Sequence, residues 1–154
     1  MPMDTFERLL ESLAEAKIEF LLVGGIAVDL CGFYRSTEDV DIIVRRDPQN
    51  VARLIECLLF FGEGAAKELT YDDFAYDEGC VRVIEEFPLD IFTVMGGHRY
   101  EDLLRYKQLH TTPRGAVIPY LDGDGLILLK SSSVRPKDRI DVEALQALKK
   151  NAGQ

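Results

Sequence analysis

Residues 20–44 read FLLVGGIAVDLCGFYRSTEDVDIIV, and the fold turns on how that stretch is punctuated. Four apolar residues, Phe20 to Val23, stop at Gly24-Gly25, which suits a short buried strand closed by a sharp turn. The paired glycines let the backbone bend and let a ligand approach with no Cβ in the way. Ile26 to Gly32 reads as a short helix whose amino end sits at the glycines. Its free N–H groups and the positive end of its dipole form a seat for phosphate. A polar link, Arg35-Ser36-Thr37-Glu38, leads to a second apolar run with acids at alternate positions, Asp39-Val40-Asp41-Ile42-Ile43-Val44. Residues two apart on a strand share a face. Asp39 and Asp41 therefore point one way, and Val40 and Ile42 point the other way, into the core.

Two neighbouring carboxylates repel unless a positive charge lies between them. A hard divalent cation with oxygen ligands is the obvious candidate, and magnesium commonly joins one or two carboxylates to substrate phosphates. Each half of the pattern is ordinary by itself. Gly-Gly after a strand is commonly a turn, and Asp-x-Asp on a strand is commonly a solvated face. Leu89-Asp90-Ile91-Phe92 adds a third acid inside another apolar strand. Three acids embedded in two apolar strands have no structural motive, because burying an unpaired charge is costly.

Together, Val23-Gly24-Gly25, Asp39-Val40-Asp41-Ile42 and Leu89-Asp90-Ile91 resemble the signature of the nucleotidyltransferase superfamily, the DNA polymerase β-like fold. The resemblance covers residues 18–95. It extends to Leu129-Lys130, Arg135-Pro136-Lys137-Asp138 and Asp141, which look like the AbiEii-type branch that includes nucleotidyltransferase toxins of toxin–antitoxin pairs. The fold it implies is α+β: a small mixed β-sheet flanked by helices, with a C-terminal helical part over residues 122–150, in a single domain spanning 1–154. The implied catalytic and metal-binding residues are Asp39, Asp41 and Asp90, holding one or two Mg2+ ions, or Mn2+. Gly24 and Gly25 would bind the nucleotide, and Arg35, Ser36 and Thr37 are further candidates in the link. Lys130 is the candidate triphosphate cation. Members of the branch carry a lysine on the helix before this segment, and here Lys130 is the first charge after Leu126-Ile127-Leu128-Leu129, so its stem can lie on an apolar wall while its ammonium reaches a cleft. The implied reaction moves a nucleoside monophosphate from a nucleoside triphosphate to a hydroxyl of tRNA, a protein or a small molecule, with an antitoxin as partner. A silent member of the same fold serving as a binding partner, and a sugar-nucleotide glycosyltransferase using Asp-x-Asp, are the alternatives.

The composition narrows the setting. The 154 residues carry a net charge of −9, which argues against an extended, sequence-independent DNA-binding surface. No run of 18 apolar residues occurs and the first residues, MPMDTFERLL, lack a signal pattern, so a cytoplasmic protein without a membrane span is expected. Cys31, Cys57 and Cys80 have no paired spacing and read as reduced core thiols.

Elsewhere, Asp4 to Ala16 repeats Phe6, Leu9, Leu10 and Leu13 at helical spacing, with Asp4 as cap. Asp47-Pro48 opens another helix, which Gly62 and Gly64 stop. Residues 65–79 read as a solvated loop, or as a partner surface anchored by Tyr71, Phe74 and Tyr76. Cys80–Glu85 and Phe87–Val94 form an antiparallel pair around Glu85-Glu86, and His98 reads as a loop residue. Tyr100–Tyr106 reads as a helix, Gln108–Thr112 and Ala116–Tyr120 as strands, and Asp122-Gly123-Asp124-Gly125 as a turn and helix cap. The last helix, from Pro136, is expected to turn Ile140, Ala144, Leu145 and Leu148 inward. Lys130, Arg135, Lys137, Arg139, Lys149 and Lys150 mark a local positive zone, with a Lys137–Asp141 helix pair as the simpler account.

Overall fold

The computed structural model describes residues 3–34, 37–60, 65–84, 87–131 and 136–152. The elements run α1 (Met3–Glu15), β1 (Phe20–Val23), α2 (Gly24–Leu30), β2 (Val40–Val44), α3 (Pro48–Leu59), β3 (Val81–Ile84), β4 (Pro88–Phe92), β5 (Val94–Met95), β6 (His98–Arg99), α4 (Tyr100–Leu103), β7 (Lys107–Thr111), β8 (Val117–Leu121), α5 (Gly123–Lys130) and α6 (Pro136–Ala152). Six strands form one mixed sheet in the order β3-β4-β2-β1-β8-β7. The β2–β4 and β1–β8 pairs are parallel; β1–β2, β3–β4 and β7–β8 are antiparallel.

The apolar periodicity explains the layers. Phe6, Leu9, Leu10 and Leu13 place one stripe of α1 in the core, and Val51, Leu54 and Leu58 do the same for α3. All four residues of β1 are buried, as expected for a strand covered on both faces. The Phe6 and Phe87 rings meet edge to face with centroids 4.9 Å apart. Asp47 caps α3 by accepting from the N–H groups of Gln49 and Asn50 at 3.1 Å, with Pro48 in the first turn. Buried Asn50 then ties two strand ends together. Its Nδ2 donates to the Glu19 and Arg45 carbonyls, and its Oδ1 accepts from Glu19 N–H.

Several expectations are revised. The second helix begins at Gly24 itself rather than at Ile26. Two 3-10 turns, Ala65–Glu68 and Tyr71–Phe74, occupy the stretch expected to be loop. Phe74 is buried there, so it cannot anchor a partner, and Tyr71 and Tyr76 lie against the Arg46 guanidinium. Gly96 and Gly97 take φ of +57° and +79° to turn a two-residue hairpin, which puts His98 in β6. The helix from Tyr100 tightens after Leu103 into a 3-10 turn over Leu104–Tyr106. Cys80 is exposed, whereas Cys31 and Cys57 are half-buried. The inward face of α6 is Asp138, Asp141 and Leu145, spaced three and four apart; Ile140 is 55% exposed, and Leu148 is partly exposed with its methyls toward Gly32. Its two acids turn inward because a cation on α5 awaits them. The Asp4 side chain, Gly62, Gly64, Glu85 and Glu86 lie outside the described residues.

Candidate active site

The sheet register assembles the site. Asp41 on β2 pairs with Val23 on one side and Asp90 on the other, and Asp90 pairs in turn with Arg82 on β3. Val23, Asp41, Asp90 and Arg82 thus form one row across four strands. Asp39 stands two residues before Asp41 and shares its face. The carboxylates of Asp39, Asp41 and Asp90 each bring an oxygen within 4.8 Å of the others. Burial, then the charges of Asp39 and Asp90, push the Asp41 carboxyl up to about 7; when protonated it donates a hydrogen bond to Asp90. The nearby Lys130 ammonium acts in the opposite direction.

Arg82 answers part of that negative charge. Its Nε donates to Asp90 Oδ1 at 2.7 Å and its Nη2 to Oδ2 at 2.8 Å, a two-pronged pair. Nη2 also lies 3.7 Å from Asp39 Oδ2. Asp90 is buried and Arg82 half-exposed.

Gly24, the first residue of α2, closes against Asp41. It takes φ of +73°, and a Cβ there would meet the Asp41 carboxylate, standing 2.8 Å from Asp41 Cβ. Behind it lies a cavity of about 190 Å3 lined by Gly24, Asp41, Phe92, Met95, Leu126, Leu129, Lys130 and Asp138. Lys130 is mostly buried, with its Nζ 3.0 Å from Asp138 Oδ1 and 3.1 Å from Asp141 Oδ2. Asp141 is wholly buried. The expected positive zone therefore resolves into a lysine held between two inward acids, and Asp141 pairs with Lys130 rather than serving only as the helical neighbour of Lys137. In the link, the Thr37 hydroxyl is buried with no hydrogen-bond partner among the described residues. Arg35 and Ser36, the other candidates there, lie outside them.

Residues 8–146 match the family described as "Nucleotidyl transferase AbiEii toxin, Type IV TA system". The chain belongs to this AbiEii family. Two solved structures share its fold. One is the lincosamide antibiotic adenylyltransferase LnuA with lincomycin bound, at 17% identity and a TM-score of 0.66, covering 96% of this chain and 98% of that one. The other is the Thermotoga maritima protein TM1012, at 18% identity and a TM-score of 0.57, covering 98% of this chain and 92% of that one. At these identities the likeness is one of fold. No curated protein sequence matches the chain.

As an AbiEii nucleotidyltransferase, the chain is an enzyme of the class its acidic strands suggested. The described residues bring Asp39, Asp41, Asp90, Gly24 and Lys130 to one cleft. Gly25 is buried in the first turn of α2. Sequence reasoning missed Arg82 and the lysine's two counter-ions. The alternation Cys80-Val81-Arg82-Val83 carried the signal for Arg82, since a charge inside an apolar strand paired with the Asp90 strand must lie beside it or one step away. The three-and-four spacing of Asp138, Asp141 and Leu145 carried the signal for α6.

Proposed function

We propose that this enzyme transfers a nucleoside monophosphate from a nucleoside triphosphate to an acceptor hydroxyl, with a divalent metal held by Asp39, Asp41 and Asp90. The observation that carries this reading is the convergence of three carboxylate oxygens within 4.8 Å, from adjacent parallel strands, on a chain that leaves a cavity beside them. The donor set is all oxygen and anionic, which fits Mg2+, or Mn2+ in its place. When bound, the metal neutralises phosphate charge and makes the acceptor hydroxyl more acidic.

The chain's own residues do the rest. Gly24 makes room for the Asp41 carboxylate, Gly25 follows it as the second nucleotide-binding glycine, and Thr37, with Arg35 and Ser36 before it in the sequence, is a further nucleotide-binding candidate. Lys130 has three N–H donors and, among the described residues, two acid partners; the third donor is the one proposed for the leaving phosphates. A cation aimed there stabilises charge that develops in the transition state. The acceptor oxygen forms a bond to the α-phosphorus as the bond to pyrophosphate breaks. The electron pair leaves with pyrophosphate, and the hydroxyl proton passes to Asp90 or to water.

The family match supports a toxin of a toxin–antitoxin pair, with an antitoxin as partner; we place it in the cytoplasm and take it as a single domain. The acceptor is the hydroxyl of a tRNA end, a protein or a small molecule. Incubation of each α-labelled nucleotide and Mg2+ with lysate fractionated into RNA, protein and small molecules identifies it. Label transfer should require Mg2+ and should be abolished in Asp41→Asn. Transfer that survives this substitution would falsify the metal assignment.

A further inference from the structure

A metal cluster has no need of Arg82, yet Arg82 takes both oxygens of Asp90. The fork of the guanidinium matches the carboxylate at two points, and such a pair is strong and exacting in geometry. A cation that bridges Asp39, Asp41 and Asp90 has to share an Asp90 oxygen with Arg82, and the two positive charges then repel each other across it. Lys130 offsets only part of the cluster's charge, because Asp138 and Asp141 also engage it. The guanidinium is half-exposed on β3, the edge strand of the sheet, so its departure disturbs little packing.

We propose that Arg82 is an internal competitor of the divalent cation. It neutralises the cluster in the metal-free enzyme and gives up Asp90 as the metal binds. This inference rests on the metal site proposed above. Its consequence is coupling between the two ligands. The released guanidinium sits at the rim of the cleft, where a polyphosphate offers it new acceptors. Nucleotide then strengthens metal binding and metal strengthens nucleotide binding by the same factor.

The test is a Mn2+ titration without nucleotide, at a pH of about 8 so that protons do not compete for the carboxylates. Wild type, Arg82→Gln and Asp41→Asn are compared, with thermal melts alongside. Arg82→Gln should bind Mn2+ about tenfold more tightly than wild type, because a competing positive charge has been removed. Its metal-free melting temperature should fall, because Asp90 loses its partner, and Mn2+ should raise that temperature by more than it does in wild type. Equal or weaker binding in Arg82→Gln overturns the competitor role and leaves the metal site standing. An absence of binding in both proteins, or full binding in Asp41→Asn, overturns the site and the competitor together. The unaltered chain supplies a second readout if Arg82→Gln does not fold. The Arg82 Nε–H resonance, assigned by its loss in Arg82→Lys, should be protected from water exchange without metal and lose that protection as Mg2+ saturates the site. Protection that persists at saturation overturns the proposal.

Discussion

Gly24 and Asp41 are packed so closely that no side-chain carbon fits between them. A Cβ at position 24 would stand 2.8 Å from Asp41 Cβ and 2.9 Å from its Cγ. The backbone there is also left-handed, with φ of +73°. Gly24→Ala therefore faces a conformational cost of about 1–2 kcal/mol and a clash besides. Pushing Asp41 aside should lower nucleotide transfer about a hundredfold. Gly32→Ala makes the control: its φ is +111°, but among the described residues a Cβ would meet only Leu148, at ordinary distances. It should lose stability and keep its transfer rate relative to folded protein. Equal activity losses in both variants would break the link to Asp41.

The raised Asp41 carboxyl predicts a stability that falls as pH rises. Its folded value of about 7 lies above the ordinary 3.8. Between those values the unfolded chain has already lost a proton that the folded chain still holds, so each step up in pH favours unfolding. Metal-free protein should lose on the order of a few kcal/mol between about pH 4 and 7 through this group. Asp41→Asn should flatten that part of the curve and be more stable than wild type at neutral pH. Denaturant melts at a series of pH values check this; a wild-type curve parallel to that of Asp41→Asn would contradict it.

Lys130→Met should damage folding as well as catalysis. The substitution keeps an apolar stem and removes the ammonium from two acids, one wholly buried. Loss of one partner from a buried ion pair costs about 3–5 kcal/mol. The double variant Lys130→Met/Asp141→Asn should recover part of that stability and none of the transfer. Thermal melts with single-turnover transfer assays separate the two losses. Recovery of activity in the double variant would confine Lys130 to a structural role.

Any RNA acceptor should be engaged locally. The net charge is −9, and Lys130, one of the basic residues near the cleft, is committed to acids. Binding should depend weakly on salt, with a log–log slope corresponding to about two or three phosphate contacts. A slope implying many contacts, measured across a salt series, would point to an extended basic surface instead.

The acidic core of the site was legible because its signals are local. Strand alternation alone puts Asp39 and Asp41 on one face, and Gly24-Gly25 marks the turn that Asp41 requires. The Asp90 strand could be recognised as apolar, but which strand it joins and in what register depends on contacts 49 residues apart, which periodicity does not encode. The C-terminal helix misled for a related reason. Ile140 and Leu148 are apolar and Asp138 and Asp141 are acidic, so hydrophobicity alone turns the helix the wrong way. Only the presence of buried Lys130 on α5 reverses the preference. The stretch 65–79 was opaque because its order comes from Phe74 entering the core and from tyrosines resting on Arg46, not from a repeating pattern.

The cavity beside the carboxylates draws its walls from residues 24, 41, 92, 95, 126, 129, 130 and 138, most of the way along the sequence. No short contiguous fragment contains it. Its closure waits on strand pairings between distant parts of the chain, which form late and slowly. A cell growing under selection against this enzyme would therefore find escape almost anywhere: substitutions in α1, in the sheet or in α6 that loosen the fold would silence the cleft as surely as loss of an aspartate. Inactivating changes recovered without bias should scatter across the gene, and those that spare folding should collapse onto a handful of codons.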